Sequence, residues 1–477
     1  MIQISDNIFS YINSLYGEVA AKVYTEYIKQ DPTRYIRVNT IKTSPESLIP
    51  LLLKDYSIHA EKVALMPKAL KITQEYSVIG KTIEHIIGEY YIQGLSSMIP
   101  PMILSPYEHE TVLDLCAAPG SKTTEISEMM LNKGTLIANE ISLNRVKMLI
   151  YNIDRMNITN AGVLSTKGEW LSKIYDSYFD KILVDAPCSG LGIIQKKEEI
   201  NKWWSLETTE RLGDLQLRLL IAAIKMVKTG GTIVYSTCTL TPEENEFIID
   251  KALKKYPIEP EDIELPVKSH EGFTSYKGAA LDPRLSKTRR ILPWEVNSDG
   301  FFIAKLKKTG DTNSPEIIIP KQKDTRILHS WGKEIRNYLT GLSNEFGIDE
   351  SVFKNYKYII KKNDIFFVDG DWEDDHPGLF ERVGTKFGTI DKKGEIILNT
   401  QAAQVLQKDI FKKIVTIENT EQLKKYLEGG IIKKKMPELG QCVIKHKDFI
   451  LGTAVTTKEG IKSRFPRSKR TQEILIN

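Results

Sequence analysis

The sequence lacks the long apolar runs and the dense cysteine pattern that mark two large classes of protein. No stretch of its 477 residues approaches the roughly 18 consecutive apolar residues of a membrane span. The N-terminus shows no basic segment followed by an apolar one, so no secretory signal is visible. Only four cysteines occur, without Cys-x-x-Cys spacing, at positions 116, 188, 238 and 442. These absences predict a protein of the reducing cytoplasm that binds neither a membrane nor a metal. We also expect the protein to be a monomer.

Positive charge is in small excess over the whole chain, and this excess is concentrated near the C-terminus. The formal net charge of +4 does not by itself indicate a polyanionic partner. Residues 431–477, however, contain eleven Lys or Arg against four Asp or Glu, a net charge of +7. The densest part, "IKSRFPRSKR", places Phe465 between Arg464 and Arg467. Such a segment suits phosphate contact and base stacking, or it is a solvated basic tail.

The middle of the chain alternates strand-like and helix-like patterns. The strand-like runs are 111–115, 135–139, 161–165, 179–185 and 232–236, with a late one at 300–306, and the longest helical pattern covers 206–229. This alternation predicts an α/β fold with a doubly wound, mostly parallel sheet and helices on both faces.

The flanks of this region differ from it in pattern. The N-terminal part mixes helical pattern with short apolar runs and includes a predicted strand at Tyr35–Val38. After a polar, Pro- and Gly-containing stretch, the chain shows helical pattern and then short strand-like runs. We therefore expect an N-terminal flank (1–80), a central domain (81–308), a linker (309–325) and a small mixed, largely β module (326–477).

The turn after the first central strand reads "DLCAAPGSKTTEI" and indicates a cofactor pocket. Gly120 allows the backbone to approach a ligand closely, and Ser121 or Lys122 begins a helix. The turn matches neither Gly-x-Gly-x-x-Gly nor the P-loop. Glu140, at the end of the next strand, is placed to accept hydrogen bonds from ribose hydroxyls, although it is also consistent with a helix cap. Together these features favour a mononucleoside cofactor, S-adenosylmethionine.

Two cysteines follow two strands whose carboxyl ends face one edge of the predicted sheet. Cys238 stands in "YSTCTLTPEENE" and Cys188 in "VDAPCSGLG", directly after Asp185. Taken singly, each is a small buried residue or a nucleophile, because free cysteine is among the most buried residue types. In a doubly wound sheet, however, this edge is one crevice, and Lys122 faces it too. Their convergence favours catalysis.

Methylation of a pyrimidine at C5 is a reaction that uses such a set. C5 is too weak a nucleophile until a thiolate adds to C6 and makes it an enamine carbon. Asp185 is the candidate for bonding N3 of the ring. A base must afterwards remove the C5 proton so that the thiolate leaves, and a second cysteine can serve this release. The target base must be unstacked or flipped.

These motifs together resemble those of the Nop/Sun family of RNA cytosine-C5 methyltransferases, most closely the bacterial type that modifies 16S ribosomal RNA. The resemblance covers essentially the whole chain, and "CAAPGSKTT", "DAPCSGLG" and "STCTLTPEENE" carry it. "RVNT" (37–40), Gln93, "SDGFFIAKL" and "KSRFPR" add weaker support. The resemblance implies a Rossmann-like class I methyltransferase sheet, S-adenosylmethionine as cofactor, RNA as partner and a PUA-like C-terminal module.

The resemblance also implies roles for individual residues. Cys238 would attack C6 and Cys188 would release the product, while Asp185 would pair with the cytosine edge and Lys122 would reach the pyrimidine. Glu140 would bind the ribose. The remaining expected cofactor contacts are Cys116, Ala117, Ala118, Pro119, Gly120, Ser121, Lys122 and Asp185. Cys442 is expected to fill the core.

One position departs from the family pattern. The family places an acid-Gly pair after the third strand, where the carboxylate accepts a hydrogen bond from the adenine amino group. This chain has Lys167 before Gly168, and a lysine only donates. Lys167 is counted among the expected cofactor contacts, but either it turns away and the backbone or Glu169 replaces it, or the cofactor affinity is weaker.

Three alternatives to a 16S ribosomal RNA methyltransferase stay open at this level. A tRNA substrate is compatible with the same motifs. A non-catalytic ribosome-assembly protein that binds RNA does not need both cysteines, Asp185 and Lys122. A small-molecule methyltransferase does not need the N-terminal flank or the basic C-terminal module. If the C-terminal module does not bind RNA, we expect recognition around Arg34 and Arg37.

Overall fold

The structure is a computed structural model that describes residues 4–313, 316–470 and 472–476. Three successive regions of the chain form five β-sheets. No helix of the described ranges combines the length and the apolar character that a membrane span requires.

The N-terminal region forms a four-stranded antiparallel sheet with helices beside it. The sheet order is β2-β3-β1-β4, and the predicted strand at 35–38 is confirmed as the buried part of β1. β4 lies beyond residue 80, where the sequence suggested a boundary. The elements are α1 (Asp6–Tyr16), α2 (Glu18–Lys29), β1 (Arg34–Val38), α3 (Pro45–Tyr56), β2 (His59–Val63), β3 (Met66–Gln74), α4 (Ile83–Ile87), β4 (Tyr90–Ile92) and α5 (Ile99–Leu104), with 3-10 turns at Tyr76–Val78 and Ser96–Met98.

The central region first alternates strands and helices, as predicted. Its elements are β5 (Thr111–Asp114), α6 (Ser121–Met129), β6 (Thr135–Asn139), α7 (Leu143–Met156), β7 (Ala161–Leu164), β8 (Phe179–Asp185), α8 (Ile200–Trp203), α9 (Leu206–Met226), β9 (Val227–Thr237) and α10 (Glu246–Leu253). It ends with β10 (Ile258–Glu261), β11 (His270–Glu271), β12 (Ser275–Tyr276), β13 (Ala279–Ala280), β14 (Arg289–Ile291), α11 (Pro293–Val296) and β15 (Phe301–Lys308). Its 3-10 turns are Gly168–Lys173, Leu191–Ile193, Pro242–Glu244 and Pro283–Lys287.

Five parallel strands form the centre of the large sheet in the order β7-β6-β5-β8-β9, and β15 joins antiparallel beside β9. This is the doubly wound α/β sheet that the sequence predicts. The order reverses at β5, so the carboxyl ends of β5 and β8 flank a switch point, where such sheets bind ligands. The helix predicted to reach residue 229 ends at Met226, because Val227 already pairs with Phe179 as a strand.

The C-terminal region contains two five-stranded sheets, where the sequence suggested one small module. The orders are β16-β17-β18-β20-β21 and β22-β24-β25-β26-β23. The elements are β16 (Ile327–His329), α12 (Lys333–Phe346), β17 (Tyr356–Lys361), β18 (Asp364–Asp369), β19 (Arg382–Val383), β20 (Thr385–Ile390), β21 (Ile396–Leu398), α13 (Thr400–Val405), β22 (Ile414–Thr416), α14 (Thr420–Leu427), β23 (Ile431–Ile432), β24 (Gly440–His446), β25 (Phe449–Thr457), β26 (Gly460–Ser463) and α15 (Arg467–Arg470), with 3-10 turns at Val352–Asn355 and Pro377–Leu379.

The first of these sheets is joined to the large sheet. β19 pairs antiparallel with β7, so it extends the sheet of the central region by one strand. Trp372, Phe380 and Val383 are buried in the same hydrophobic core as the central strands. Deleting the chain after residue 325 would therefore expose part of the central core.

Candidate active site

The turn between β5 and α6 is held in one conformation by its own side chains. Thr123 Oγ1 donates to Asp114 Oδ2 at 2.7 Å and to the carbonyl of Ala117 at 3.3 Å. Gly120 has φ +109°, a left-handed conformation that favours glycine. Burial raises the pKa of Asp114 to about 7, against the opposing effect of the Thr123 hydrogen bond. The turn is thus a fixed backbone loop at the carboxyl end of β5.

A cleft of about 900 Å³ opens beside this turn at the switch point of the sheet. Nine of the twelve predicted site residues line it: Cys116, Ala118, Pro119, Ser121, Lys122, Glu140, Asp185, Cys188 and Cys238. Ala117 and Gly120 shape the turn without being among the lining residues. Lys167 is exposed, also outside the lining set, and its Nζ lies 5.8 Å from the centroid of the Trp170 ring. The neighbouring Gly168 and Glu169 do line the cleft.

The cofactor end of the cleft combines one buried acid with apolar surface. Glu140 is only 3% exposed; it accepts from the amide of Ser142 at 2.9 Å and pairs with Arg145 at 3.1 Å. Ile141, which follows it, is 60% exposed and lines the cleft, as does Leu219. Sequence reasoning missed Ile141, although a large apolar residue directly after the expected ribose acid was the available signal. A carboxylate beside apolar walls fits a nucleoside.

Lys122 and Asp185 form an ion pair in the cleft, in which Lys122 is buried and Asp185 is partly buried. Lys122 Nζ lies 2.7 Å from Asp185 Oδ2 and donates to Ser97 Oγ at 3.0 Å. Ser236 donates to the other oxygen of Asp185 at 2.8 Å. Burial alone would lower the pKa of Lys122, but the Asp185 carboxylate outweighs it and the pKa is raised. Lys122 also lies 5.3 Å from the centroid of the Phe301 ring, so the pair is held from several sides.

The two predicted cysteines meet beside this ion pair. Cys188 Sγ and Cys238 Sγ are 3.2 Å apart, although they follow different strands, β8 and β9. The hydrogen bond to Cys238 and burial together raise the pKa of the Cys188 thiol well above its ordinary value. The two thiols are within hydrogen-bonding distance, and either sulfur can be the donor. The site combines a potential nucleophile, a second thiol, a carboxylate and an ammonium group.

Glu244 holds the loop that contains Cys188. The sequence analysis did not identify it as a site residue. It is fully buried and accepts from the amide of Ser189, from Gln216 Nε2 and from Thr241 Oγ1, each at 2.8 Å. Burial raises its pKa, against these hydrogen bonds. The run "PEENE" that contains Glu244 was the available signal. Because it ties the loop after β8 to the turn after β9, Glu244 fixes the two cysteine loops relative to each other.

Arg37 connects the N-terminal sheet to the first turns of α6. It is fully buried and donates to the carbonyl of Ser121 at 2.7 Å and to Thr124 Oγ1 at 2.8 Å. It also pairs with Glu125 at 3.2 Å and Glu128 at 3.3 Å. Arg37 is therefore not accessible to RNA, which corrects the expectation that it could take part in recognition.

The basic C-terminal segment is less exposed than its composition suggests. Phe465 is 1% exposed, with its ring centroid 5.7 Å from that of Tyr426, so the prediction that it stacks on a base is wrong. Lys469 is buried and donates to the carbonyl of Ile86 at 2.8 Å. Arg467 remains exposed. Cys442 is 2% exposed, as expected of a core residue, and burial raises its pKa to about 11.

Comparisons with known proteins show which family this chain resembles. Residues 101–307 match the family model "16S rRNA methyltransferase RsmB/F". The chain is 31% identical to the ribosomal RNA small subunit methyltransferase F of Shewanella piezotolerans, over 96% of each chain. It is 39% identical to a mouse 28S rRNA (cytosine-C(5))-methyltransferase over 57% of this chain, and spans about a third (35%) of that relative's length. The solved structure of NSun6 from Pyrococcus horikoshii with SFG matches with a TM-score of 0.56 and 25% identity, over 65% of this chain and 100% of that one.

Proposed function

Because the chain belongs to the RsmB/F family of methyltransferases, we propose that it methylates C5 of cytosine in RNA with S-adenosylmethionine, and that its substrate is 16S ribosomal RNA. The observation that carries the chemistry is the pair of thiols 3.2 Å apart beside the Lys122–Asp185 ion pair. The near-complete match to a small subunit methyltransferase supports the choice of RNA.

The residues of the cleft fit the cofactor. Glu140 is placed to accept hydrogen bonds from ribose hydroxyls once it exchanges its contact with Arg145, and Ile141 and Leu219 offer apolar walls for the adenine ring. The backbone of the turn from Cys116 to Ser121 adjoins the same cleft. When bound, S-adenosylmethionine supplies an electrophilic methyl group. Lys167 points away from this cleft, so we assign the adenine edge to the segment at Gly168 and Glu169.

Cys238 acts as the nucleophile. Its thiolate forms a bond to C6 of the cytosine, and the electron pair of the C5–C6 double bond moves toward C5 and the ring nitrogen N3. Asp185 and Lys122 hold the polar edge of the base and stabilise the charge that develops on the ring. C5 then takes the methyl group while its hydrogen is still attached.

Cys188 acts in the release step. The hydrogen bond to Cys238 is the main cause of its raised pKa. Once the Cys238 sulfur is bonded to carbon, it is a thioether and a poor acceptor for the Cys188 thiol. The Cys188 thiol then releases its proton to solvent, and the resulting thiolate accepts the C5 proton. Loss of that proton restores the C5–C6 double bond as the C6–S bond breaks and returns the Cys238 thiolate.

A deletion strain tests the proposal. Bisulfite sequencing should show that the ribosomal RNA of this strain lacks a 5-methylcytosine. The wild-type gene should restore this modification, and the Cys238→Ala gene should not. Loss of the mark from tRNA, with 16S ribosomal RNA unchanged, would reject the ribosomal substrate but keep the reaction. No lost mark in either RNA would reject the reaction. The RNA-binding roles of 1–80 and 326–477, the monomeric state and the cytoplasmic location stay predictions.

A further inference from the structure

The segment of residues 191–204 runs along the catalytic cleft and carries two adjacent tryptophans in opposite environments. Trp204 is 7% exposed, and its ring centroid lies 4.9 Å from that of Tyr11 in the N-terminal helix α1. Trp203 is 43% exposed and lines the cleft that contains both cysteines. A large aromatic side chain is thus presented to solvent at the rim of the site.

The segment is anchored close to the nucleophile. The amide of Gly192 donates to the carbonyl of Cys238 at 3.0 Å, and the amide of Gly300 donates to the carbonyl of Gly192 at 2.8 Å. A Cβ atom on Gly192 would lie only 2.3 Å from the Gly300 oxygen, so this contact requires glycine. The beginning of the segment is therefore fixed against the backbone of Cys238.

The rest of the segment is fixed by the N-terminal helices. Gln195 Nε2 donates to the carbonyl of Tyr27 at 3.0 Å, and Ile200 is 3% exposed in the core formed with α1 and α2. Ile200 and Trp204 are both buried, whereas Trp203, which stands between them in the chain, is exposed and lines the cleft.

We propose that Trp203 is a stacking platform for an unpaired RNA base that neighbours the target cytosine; this inference rests on the proposed function. A cytosine that leaves its helix leaves adjacent bases without one stacking partner. An exposed aromatic ring offers such a base a replacement, and aromatic stacking tolerates any sequence because every base has a π-face.

The charges of residues 191–204 do not indicate a phosphate-binding surface. Lys197 and Lys202 are exposed, but Glu198 and Glu199 carry opposite charges in the same stretch, and Lys196 pairs with Asp299 at 2.7 Å. The segment is thus nearly neutral, which weakens an interpretation as a phosphate-binding surface. We therefore assign to this segment the stacking of an RNA base on the Trp203 ring.

The adenine ring of the cofactor is the alternative occupant, since it enters the same cleft. We favour RNA because the 191–204 segment is hydrogen-bonded to the backbone of Cys238. The residues that suit adenine, Ile141 and Gly168, lie after β6 and β7, on the other side of β5. The two occupants predict different losses on substitution, so one set of titrations separates them.

The experiment measures binding of a labelled RNA stem-loop with one loop cytosine, and of S-adenosylmethionine, to the full chain. Trp203→Ala should weaken stem-loop binding about 5- to 100-fold, the range expected for one stacked base, and leave cofactor binding unchanged. Trp203→Phe should restore most of the affinity. Tyr107→Ala, which removes a 65% exposed aromatic side chain outside the cleft lining and outside both predicted RNA-binding regions, should have no effect. A fully paired duplex of the same sequence should not discriminate between the variants.

Two outcomes would overturn the inference. Equal RNA affinity of Trp203→Ala and Tyr107→Ala would mean that Trp203 contacts no base. A loss confined to cofactor binding would assign the ring to adenine. If Trp203→Ala fails to fold, quenching of tryptophan fluorescence by RNA decides instead, since it should be clear in the wild type and much reduced in Trp203→Phe. Failure of the proposed function gives a different result, in which the wild-type chain makes no 5-methylcytosine.

Discussion

The Sγ atoms of Cys188 and Cys238 lie 3.2 Å apart although 50 positions separate the two residues along the chain. Two thiols in contact invite the question of which one attacks and which one releases. The hydrogen bond to Cys238 and burial raise the pKa of Cys188 well above its ordinary value. The contact places Cys188 directly beside the proposed nucleophile, which is where a releasing group must lie.

We predict that Cys238→Ala abolishes methyl transfer and leaves cofactor binding nearly intact. The substitution removes the sulfur that adds to C6 but none of the residues assigned to the cofactor. Transfer of labelled methyl groups to 16S ribosomal RNA, together with a cofactor titration, measures both effects. Substantial residual transfer would reject Cys238 as the attacking residue.

We predict that Cys188→Ala accumulates a covalent protein–RNA adduct. Without a group to assist loss of the C5 proton, the C6–S bond formed by Cys238 persists. The adduct should survive denaturing gel electrophoresis and should be absent in the Cys188→Ala/Cys238→Ala double variant. An adduct in Cys238→Ala but not in Cys188→Ala would show that the two roles are reversed.

Arg37→Met should lower the free energy of unfolding by about 3–5 kcal/mol, because it leaves the buried carboxylate of Glu125 without its ion-pair partner and that of Glu128 with Lys68 alone. It should also lower kcat, since the bond that holds the first turn of α6, and with it Lys122, is lost. Denaturant unfolding and methyl-transfer kinetics measure the two effects. Arg34→Met, at an exposed position of the same strand, is the matched control and should change neither. Wild-type stability in Arg37→Met would contradict the bridging role.

Between pH 4.5 and pH 7, the free energy of unfolding should fall less in Glu89→Gln than in the wild type. Burial, assisted by the neighbouring Glu84, raises the pKa of Glu89 from 4.5 to about 7 in the folded chain. Between these values the folded state binds more protons than the unfolded state, so the stability contributed by this group falls as pH rises and is constant above 7.

The Glu89→Gln measurement is the difference in free energy of unfolding between wild type and variant at several pH values. This difference is needed because His85, whose pKa burial lowers to about 3, opposes the trend in the wild type and the variant alike. Glu61→Gln, at an exposed position of β2, is the control. A difference that does not vary with pH would contradict the burial of a neutral Glu89.

A chain that ends at residue 325 should be insoluble or should bind cofactor poorly. The truncation removes β19 from the edge of the large sheet and exposes the core that Trp372 and Phe380 cover. A soluble product with wild-type cofactor affinity would show that the C-terminal region is dispensable for the central fold.

Point variants are the sharper test of RNA binding by the basic C-terminal segment. Lys462 and Arg467 are exposed, and each phosphate contact adds about 0.7 to 0.9 to the log–log salt slope of RNA binding. Lys462→Ala/Arg467→Ala should therefore reduce the slope by one to two units, whereas Lys462→Arg/Arg467→Lys keeps both charges and should retain it. An unchanged slope in the alanine variant would mean that this surface is only solvated.

The sequence by itself determined the order of the central elements and the set of catalytic candidates. Strand and helix periodicity is local, so the pattern from 111 to 236 was readable without contacts. Because parallel strands of a doubly wound sheet end at one edge, Cys188 after β8 and Cys238 after β9 were expected to converge, and they do.

Only the tertiary structure decided which side chains those local patterns expose. Arg37 and Phe465 look like RNA contacts in the sequence, yet packing against α6 and against Tyr426 buries both. Trp203 and Trp204 are identical neighbours, and the position of α1 alone separates the exposed ring from the buried one. Such assignments depend on contacts between elements far apart in the chain, and no local periodicity encodes which distant surface covers a given residue.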